Sequence, residues 1–317
     1  MRPDFLEVLA CPLCSSAFHL TPVDVSDTEV RRGRLTCGGN ATHAFDIIDG
    51  IVRFATAFDS KAVTGEVKYA WETFKGNRLL TDPAHVAEYP DTLPIIWPNT
   101  KWFGLDFQAA IAGLDFASDS WTLDIGTAAC WTTRLLARKG GHVIAQDVVE
   151  TEFNGLRTAD IQFKAHRVFF ERVLESMTRL PYRDASMDRI VFNAAFHHTP
   201  DAVQTLSECH RVLKPQGKVL LLSEITPILE PMRRYLSGSE GSKVTEDGSS
   251  HHDIPYREFA SRVRQAGFEM ECLVPAHVQE SLSNRFGGPL GSLAVALFNG
   301  IPLLRRLFFT SLIILRK

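Results

Sequence analysis

The sequence predicts an α/β fold built on a mostly parallel sheet, and three observations support this prediction. Residues 121–125 (Trp-Thr-Leu-Asp-Ile) form an apolar strand that runs into a small-residue turn at Gly126–Ala129. A predicted helix follows and stops at the Gly-Gly pair 140–141. A second apolar strand, His142–Ala145, then leads to Asp147. Such a βαβ unit binds nucleotides at the carboxyl edge of a parallel sheet.

The chemistry of this unit indicates a nucleotide ligand. A turn of small residues lets the backbone approach a ligand closely. An acid about twenty residues further on, here Asp147, suits the hydroxyls of a ribose. Dinucleotide dehydrogenases share this geometry, so the unit alone does not choose between classes of nucleotide-binding protein.

The composition limits the class of protein. The 317 residues suffice for one large domain and a small one. There are 34 basic and 37 acidic residues, and nucleic-acid binders often carry a basic excess, so a nucleic-acid substrate is disfavoured. No basic-then-apolar leader is visible, and we expect a cytoplasmic protein.

The first 43 residues contain a candidate zinc site. Cys11 and Cys14 form a Cys-x-x-Cys knuckle, and Cys37 and His43 follow a charged hairpin candidate, Asp24–Arg34. Zinc favours four such ligands at tetrahedral angles. In a cytosolic chain this spacing indicates metal binding more than a disulfide. We predict one structural zinc; the alternative is a degenerate module that folds without metal.

Residues 123–137 (LDIGTAACWTTRLLA) resemble the first motif of class I S-adenosylmethionine-dependent methyltransferases, usually Asp/Glu-x-Gly-x-Gly-x-Gly. Asp124 and Gly126 match this motif. Ala128 and Cys130 stand where the family usually has glycine. A Cβ atom at either position narrows the space for the methionine or the adenosine.

Two later stretches strengthen the resemblance. Residues 180–198, from Leu-Pro-Tyr to His-His, are similar to the fourth-strand region of small-molecule methyltransferases of this class. Residues 208–217 resemble the turn that precedes the fifth strand. Dehydrogenases do not carry these motifs. The chain is therefore identified as a class I methyltransferase, which implies a Rossmann-like sheet of seven strands with helices on both faces.

The N-terminal module resembles small zinc ribbons fused to methyltransferases, because residues 43–54 (HAFDIIDGIVRF) match the segment after their last ligand. Similar ribbons in ribosomal-RNA guanine methyltransferases help to recognise RNA. The basic cluster Arg31, Arg32 and Arg34 fits that role, but a solvated turn explains it equally well.

We predict three parts: a zinc-ribbon-like module at 1–56 that we expect to be independent, a helical cover at 57–118, and a methyltransferase domain at 119–317. The aromatic residues of the cover either line the pocket or pack the cover onto the core: Trp71, Phe74, Trp97, Trp102, Phe103 and Phe107.

Further elements of the methyltransferase domain follow from the apolar pattern. The tail at 290–315 is apolar but interrupted, so it predicts a helix plus a strand and not a membrane span, and peripheral membrane contact stays open. The other expected elements are a helix at Val148–His166, strands at Phe169–Met177 and Lys218–Leu222, a helix at Pro255–Ala266, and strands at Phe268–Val274 and near Phe308–Leu315.

The resemblance implies S-adenosylmethionine as cofactor and assigns its contacts to particular residues. Asp124 would orient the turn or the amino group, and Asp147 fits the ribose diol unless it caps the following helix. The expected cofactor-binding residues are Asp124, Gly126, Thr127, Ala128, Asp147, Val148, Ser176, Met177 and Asn193.

Four histidines are candidates for a catalytic base. Methyl transfer is an in-line displacement that, for O- or N-acceptors, also requires removal of a proton. His197 and His198 suit this role because imidazole titrates near neutral pH, although in relatives this pair often orients a loop. His251 and His252 lie in a polar loop that we expect to face the pocket.

Three functions fit these observations. The first is methyl transfer to a small-molecule acceptor such as a sugar, a lipid-linked compound or a secondary metabolite. The second is methylation of RNA delivered by the zinc ribbon. The third is a non-catalytic scaffold, consistent with Ala128 and Cys130 in place of glycines. The acceptor atom and the oligomeric state do not follow from the sequence.

Overall fold

The computed structural model describes residues 1–56, 61–225, 256–301 and 310–317. Its strands are β1 (Phe18–Ser26), β2 (Glu29–Cys37), β3 (Ala44–Ile48), β4 (Ile51–Arg53), β5 (Trp121–Ile125), β6 (His142–Asp147), β7 (Glu171–Leu174), β8 (Met187–Asn193), β9 (Leu213–Ile225), β10 (Glu269–Leu273) and β11 (Thr310–Arg316). Its helices are α1 (Lys61–Phe74), α2 (Arg78–Thr81), α3 (Pro83–Ala87), α4 (Leu93–Ile96), α5 (Phe103–Ala112), α6 (Trp131–Ala137), α7 (Ala159–His166), α8 (Ala202–Val212), α9 (Tyr256–Gln265), α10 (Ala276–Phe286) and α11 (Gly288–Gly300).

The described strands form one sheet in the order β1-β2-β3-β4-β7-β6-β5-β8-β9-β11-β10. Strands β4, β7, β6, β5, β8 and β9 run parallel to one another. Strands β1 to β4 pair antiparallel in order, and β11 is antiparallel to β9 and β10. Seven neighbouring strands of this sheet, in the order β7-β6-β5-β8-β9-β11-β10, confirm the predicted methyltransferase sheet. Because parallel strands end at one edge, the carboxyl ends of β5, β6, β7 and β8 lie side by side.

The alternation of side chains along each strand builds a core on each face of the sheet. Leu123 and Ile190 point into one core, which α8 and α9 cover. Val143 and Val191 point into the other core, which α5, α6 and α7 cover. Helices therefore lie on both faces, as predicted.

The N-terminal module is part of this sheet, which differs from the independent module that we expected. Strand β4 pairs with β7 in parallel, with Val52 opposite Val173. The ring of Phe5 stacks on Trp121 with 5.7 Å between centroids. A module of this size buries little apolar surface by itself, so it completes its core against the larger sheet.

A buried ion network fastens the module to the sheet. The Arg172 guanidinium of β7 is only 1% exposed and ion-pairs with Glu29 of β2. It also donates to Asp160 Oδ1 on α7 at 3.0 Å, and Arg31 bonds both Glu29 and Asp160 at 3.3 Å. Burial opposes ionisation of Glu29, but Arg172 and other neighbouring cations hold its pKa below the usual value. The network thus stays charged and paired.

Three predicted elements have different bounds in the structure. The expected helix at 148–166 is a loop followed by α7, because Leu156 N donates to Val149 O and closes that loop. The expected strand at 169–177 ends at Leu174, where the chain turns towards the sheet edge. The fifth strand extends over Leu213–Ile225, because Leu213 pairs with Met187 of β8 at its start and β11 pairs with it up to Ile225.

The C-terminal expectations are confirmed where they are described: α9, β10, α11 and β11 occupy the predicted stretches. Within the four described ranges, no helix has the length and apolarity needed to cross a membrane.

We predict that the module and the main sheet unfold together and that Arg172 couples them. Arg172→Leu leaves the partly buried Glu29 with only Arg31 and the Met1 amine as partners, and should cost up to about 3–5 kcal/mol of unfolding free energy. Arg34→Leu is the matched control, since the Arg34–Asp46 pair is exposed and is worth about 1 kcal/mol or less. Urea unfolding should show one transition; two transitions, or equal losses in both variants, would contradict the coupling.

Candidate functional site

The turn after β5 has left-handed backbone at alternate residues. The φ angles are +73° at Gly126, +44° at Ala128 and +57° at Cys130. These are the positions of the three glycines in the usual motif, and a left-handed conformation costs a residue with a Cβ roughly 1–2 kcal/mol. Ala128 and Cys130 therefore keep the backbone shape of the motif at some cost in strain. At Gly126 a Cβ atom would lie 2.5 Å from Ala195 Cβ, so glycine is required there.

Asp147 braces this turn from the end of β6. Its Oδ2 accepts a hydrogen bond from Ala128 N at 2.9 Å, and its Oδ1 accepts one from Val149 N at 2.8 Å. The alternative role, capping the next helix, does not apply because α7 starts at Ala159. The carboxylate instead lies at the sheet edge and lines the cleft described below.

Asp124 lies beneath the turn. Its carboxylate is buried and accepts hydrogen bonds from the hydroxyls of Thr132 and Thr133 on α6, at 2.7 and 2.6 Å. Burial raises the pKa of Asp124 to about 7, although the two hydroxyls oppose this shift. Of its two expected roles, this position favours orienting the turn and the start of α6.

A cleft of about 960 Å³, counting its open mouth, lies at the carboxyl edge of the sheet. Six of the nine expected cofactor-binding residues line it: Gly126, Ala128, Asp147, Val148, Ser176 and Met177. Asp124, Thr127 and Asn193 are not among its lining residues.

The loop after β7 forms one wall of the cleft. Glu175 Oε1 accepts from Ser176 N at 2.8 Å, and Glu175 Oε2 accepts from the Thr56 hydroxyl at 2.6 Å. Gln146 donates to the carbonyl oxygens of both Glu175 and Ser176. The carboxylate of Glu175 therefore ties the end of the N-terminal module to the expected adenine-binding loop.

The two adjacent histidines have different positions. His198 lines the cleft. His197 Nδ1 lies 2.7 Å from Glu224 Oε2, and Glu224 also accepts from the backbone N–H groups of Ala195, Phe196 and His197. Burial favours the neutral form of Glu224, yet His197 and these N–H donors hold its pKa below the usual value. His251 and His252 lie outside the described residues.

Some cleft residues escaped the sequence analysis. Val63 and Tyr69 of α1 and Asn154 of the loop before α7 all line the cleft. Of the aromatic side chains singled out in the cover, those of Trp71, Trp97, Trp102, Phe103 and Phe107 are not among the lining residues. Phe107 packs 5.3 Å from Trp131, and Trp102 stacks on His277 at 5.6 Å. No motif marks the cleft residues of the cover, because their positions depend on how α1 packs.

The four predicted zinc ligands come together. Cys11, Cys14, Cys37 and His43 place their ligand atoms within 4.8 Å of one another. Cys11 Sγ lies 3.5 Å from His43 Nδ1, and Cys14 Sγ lies 3.3 Å from Cys37 Sγ. Tetrahedral zinc with bonds of about 2.0–2.3 Å needs ligand atoms at such separations. A hydrogen bond with the Ser16 hydroxyl lowers the pKa of Cys14 to about 6, which favours the thiolate that binds metal.

We predict that Asp124→Asn changes the pH dependence of stability. The folded-state pKa of about 7 lies above the ordinary 3.8, so the protonated acid favours folding below about pH 4. This contribution is lost as pH rises towards 7, at up to about 1.4 kcal/mol per pH unit. The asparagine variant should therefore gain stability relative to the wild type over this range in urea unfolding. Asp119→Asn, at an exposed residue, is the control; a pH-independent difference between Asp124→Asn and wild type would contradict the buried, protonated acid.

Comparison with known proteins agrees with this geometry. Residues 123–221 match the family described as "Methyltransferase domain". The chain is 54% identical over 78 residues to malonyl-[acyl-carrier protein] O-methyltransferase 1 of Coxiella burnetii, covering 24% of this chain and 27% of that protein. It is 32% identical over 114 residues to the ubiquinone/menaquinone biosynthesis C-methyltransferase UbiE of Brucella anthropi, covering 31% and 43%.

The chain thus spans less than half the length of these two curated relatives. Among solved structures, it is similar to the YcgJ protein of Bacillus subtilis, with a TM-score of 0.48 and 18% identity over 68% of this chain and 98% of that one. Residues 123–221 therefore form a methyltransferase domain of the S-adenosylmethionine-dependent class, and the seven-stranded sheet, which extends beyond this region, has the architecture predicted for it.

Proposed function

We propose that this protein transfers the methyl group of S-adenosylmethionine to a small-molecule acceptor. The observation that carries the proposal is the cleft at the carboxyl edge of β5 and β6. There the left-handed turn at Gly126–Cys130 and the Asp147 carboxylate meet in one wall. This is the position at which doubly wound α/β sheets bind nucleotides.

Each wall of the cleft supports one part of the cofactor. The Asp147 carboxylate accepts hydrogen bonds from the ribose hydroxyls, and the loop at Ser176–Met177 contacts the adenine. The backbone at Gly126–Ala128 holds the methionine portion. When bound, S-adenosylmethionine supplies the electrophilic methyl carbon and a neutral thioether leaving group. The protein's own task is to align the acceptor with that carbon.

His198 is the cleft-lining candidate for the base among the histidines that the structure describes. Glu224 acts as a positioning residue, because its buried carboxylate binds three successive N–H groups of the turn that leads to His198. His197 completes this arrangement through its bond to Glu224. His198 then accepts the proton of an O- or N-acceptor. A carbon acceptor would instead need a base whose pKa suits the acidity of the C–H group that loses its proton.

The relatives favour a small acceptor but not a particular atom. One is named a malonyl-[acyl-carrier protein] O-methyltransferase and the other a ubiquinone/menaquinone biosynthesis C-methyltransferase. Apolar side chains in the cleft wall, including Val63, Met177 and Pro200, suit an acceptor with an apolar part.

The contacts of the basic cluster disfavour RNA as the acceptor. Arg31 ion-pairs with Glu29 and Asp160, and Arg34 ion-pairs with Asp46. Arg32 lies opposite Asp24 in the β1–β2 register. Two of the three arginines are thus already paired with carboxylates and gain less from phosphates, so the cluster offers few cations for RNA binding.

The zinc completes the proposal as a structural ion. It would be held by Cys11, Cys14, Cys37 and His43, far along the chain from the residues of the cleft. Its binding free energy would add to the stability of β1–β4, and thereby of the Thr56–Glu175 contact at the cleft wall.

We predict that S-adenosylhomocysteine binds with a micromolar dissociation constant, about −8 kcal/mol. Asp147→Asn keeps the shape of the side chain but removes its charge, and should weaken binding by roughly 10- to 100-fold, since each charge-assisted hydrogen bond contributes about 1.5–3 kcal/mol. Isothermal titration calorimetry measures both constants, with Asp119→Asn as the control. Equal affinity in wild type and Asp147→Asn would place the ribose elsewhere.

We also predict one zinc per chain in freshly purified, unchelated protein. Cys14→Ser should lose the ion, whereas Cys272→Ser, at a cysteine of β10, should keep it. Chelation should lower the unfolding midpoint of the wild type and leave Cys14→Ser unchanged. Elemental analysis that finds no zinc in the wild type would refute the site.

A further inference from the structure

A buried glutamine interrupts the apolar strand β6. Gln146 follows Val143, Ile144 and Ala145 in this strand, and its side chain is fully buried. A side-chain amide has two N–H donors and one acceptor oxygen, and burying them without hydrogen-bond partners costs free energy. Gln146 therefore requires polar partners inside the protein.

The amide of Gln146 has partners on two sides. Its Nε2 donates to the carbonyl oxygens of Glu175 at 3.4 Å and Ser176 at 3.2 Å, and its Oε1 accepts from the Tyr182 hydroxyl at 2.8 Å. Carbonyl oxygens only accept hydrogen bonds, so the amide nitrogen must face them and the amide oxygen must face Tyr182. The network thus fixes the orientation of the amide.

The two carbonyl groups belong to the loop after β7, which forms one wall of the cleft. Glu175, Ser176 and Met177 all line the cleft. Since the carbonyl oxygens of Glu175 and Ser176 are held by the Gln146 amide, the backbone of this loop has a fixed orientation towards the cleft. The loop therefore depends on a side chain that belongs to the neighbouring strand.

The main chain of Gln146 binds the turn after β5. Its carbonyl oxygen accepts from Gly126 N at 2.8 Å, and Asp147 is the next residue in the chain. One residue therefore joins three parts of the cleft: the turn at Gly126, the Asp147 carboxylate and the loop after β7.

Tyr182, the partner of the amide oxygen, is held by the N-terminal module. Its ring centroid lies 6.4 Å from that of Phe5, and its backbone forms a β-bridge with Leu9. The next residue, Arg183, donates its N–H to Val8 O at 2.8 Å. Burial raises the pKa of Tyr182 well above its ordinary value, so the hydroxyl keeps the proton that it donates.

We propose that Gln146 is a positioning residue of the cofactor site, and that its amide holds loop 175–177 in the orientation that binds adenine. Tyr182 holds the amide in turn. The inference rests on the proposed function, which assigns this loop to the adenine. Neither Gln146 nor Tyr182 is among the lining residues of the cleft, so both act through the loop and not on the ligand itself.

The test is calorimetry with S-adenosylhomocysteine, together with the unfolding midpoint of each variant without ligand. Gln146→Met keeps the approximate size of the side chain but removes both N–H donors, and should weaken binding roughly tenfold. Tyr182→Phe leaves the amide in place without its hydroxyl partner, and should weaken binding about threefold.

The double variant, Gln146→Met with Tyr182→Phe, separates positioning from stability. In Gln146→Met the Tyr182 hydroxyl is buried without its partner, and the second substitution removes this unpaired group. The double variant should therefore unfold at a higher midpoint than Gln146→Met but bind as weakly as that variant. If the pair only stabilised the fold, affinity would recover together with stability.

The matched control is Thr122→Val near the amino end of β5, whose carboxyl end borders the cleft. Thr122 is also buried, and its hydroxyl accepts from the Arg189 guanidinium at 3.1 Å. This variant should lower the unfolding midpoint and keep the dissociation constant of the wild type.

Two results would overturn the inference and leave the proposed function standing. They are wild-type affinity in Gln146→Met, and recovery of affinity in the double variant. If Gln146→Met does not fold, Tyr182→Phe decides, and an unchanged dissociation constant in that variant overturns the inference. A wild type that does not bind S-adenosylhomocysteine would overturn the proposed function and this inference with it.

Discussion

One hydrogen bond closes the nucleotide-binding end of this fold: the backbone N–H of Ala128 donates to the Asp147 carboxylate at 2.9 Å. It joins the turn after β5 to the end of β6, and Asp124 fixes the same turn from below through the two threonine hydroxyls of α6. The hydrogen bonds of these two aspartates keep the turn in its left-handed conformation, although Ala128 and Cys130 each carry a Cβ atom. The glycine motif can therefore be partly lost while its backbone shape is kept.

The N-terminal module contributes to the same site from its position next to β7 in the sheet. Its strand β4 extends the sheet beyond β7, and Thr56, just past that strand, donates to Glu175 in the cleft wall. The Arg172–Glu29 pair ties this edge to β7. Under our proposal, zinc held by Cys11, Cys14, Cys37 and His43 would stabilise the same edge and would act on the cleft through the sheet, without contact with a substrate.

The sequence predicted the parts of the fold that depend on local pattern. Motif residues such as Asp124 and Gly126 occur where a strand meets a helix, and apolar alternation marks the central strands. The pairing of β4 with β7 was not predictable, because it joins residues more than a hundred positions apart and no pattern in either strand specifies the partner. The left-handed backbone conformation of Ala128 was also not predictable, because an alanine in the sequence does not indicate a positive φ angle.

Side-chain direction was the other limit. His197 and His198 are adjacent and chemically alike, and only the distant Glu224 determines that His197 turns towards it while His198 lines the cleft. In the same way, Val63 and Tyr69 line the cleft, although the tryptophans of the cover and its described phenylalanines, Phe103 and Phe107, do not. Tertiary packing decides such cases, and an amino-acid pattern does not encode it residue by residue.

The most direct test of the central claim is a crystal structure of the full chain with S-adenosylhomocysteine. The proposed site predicts ribose hydroxyls on the Asp147 carboxylate, adenine against Ser176–Met177, and the thioether sulfur on the side of the cleft lined by Ala195 and His198. A nucleoside bound elsewhere, or bound in this cleft without contact to Asp147, would contradict the account.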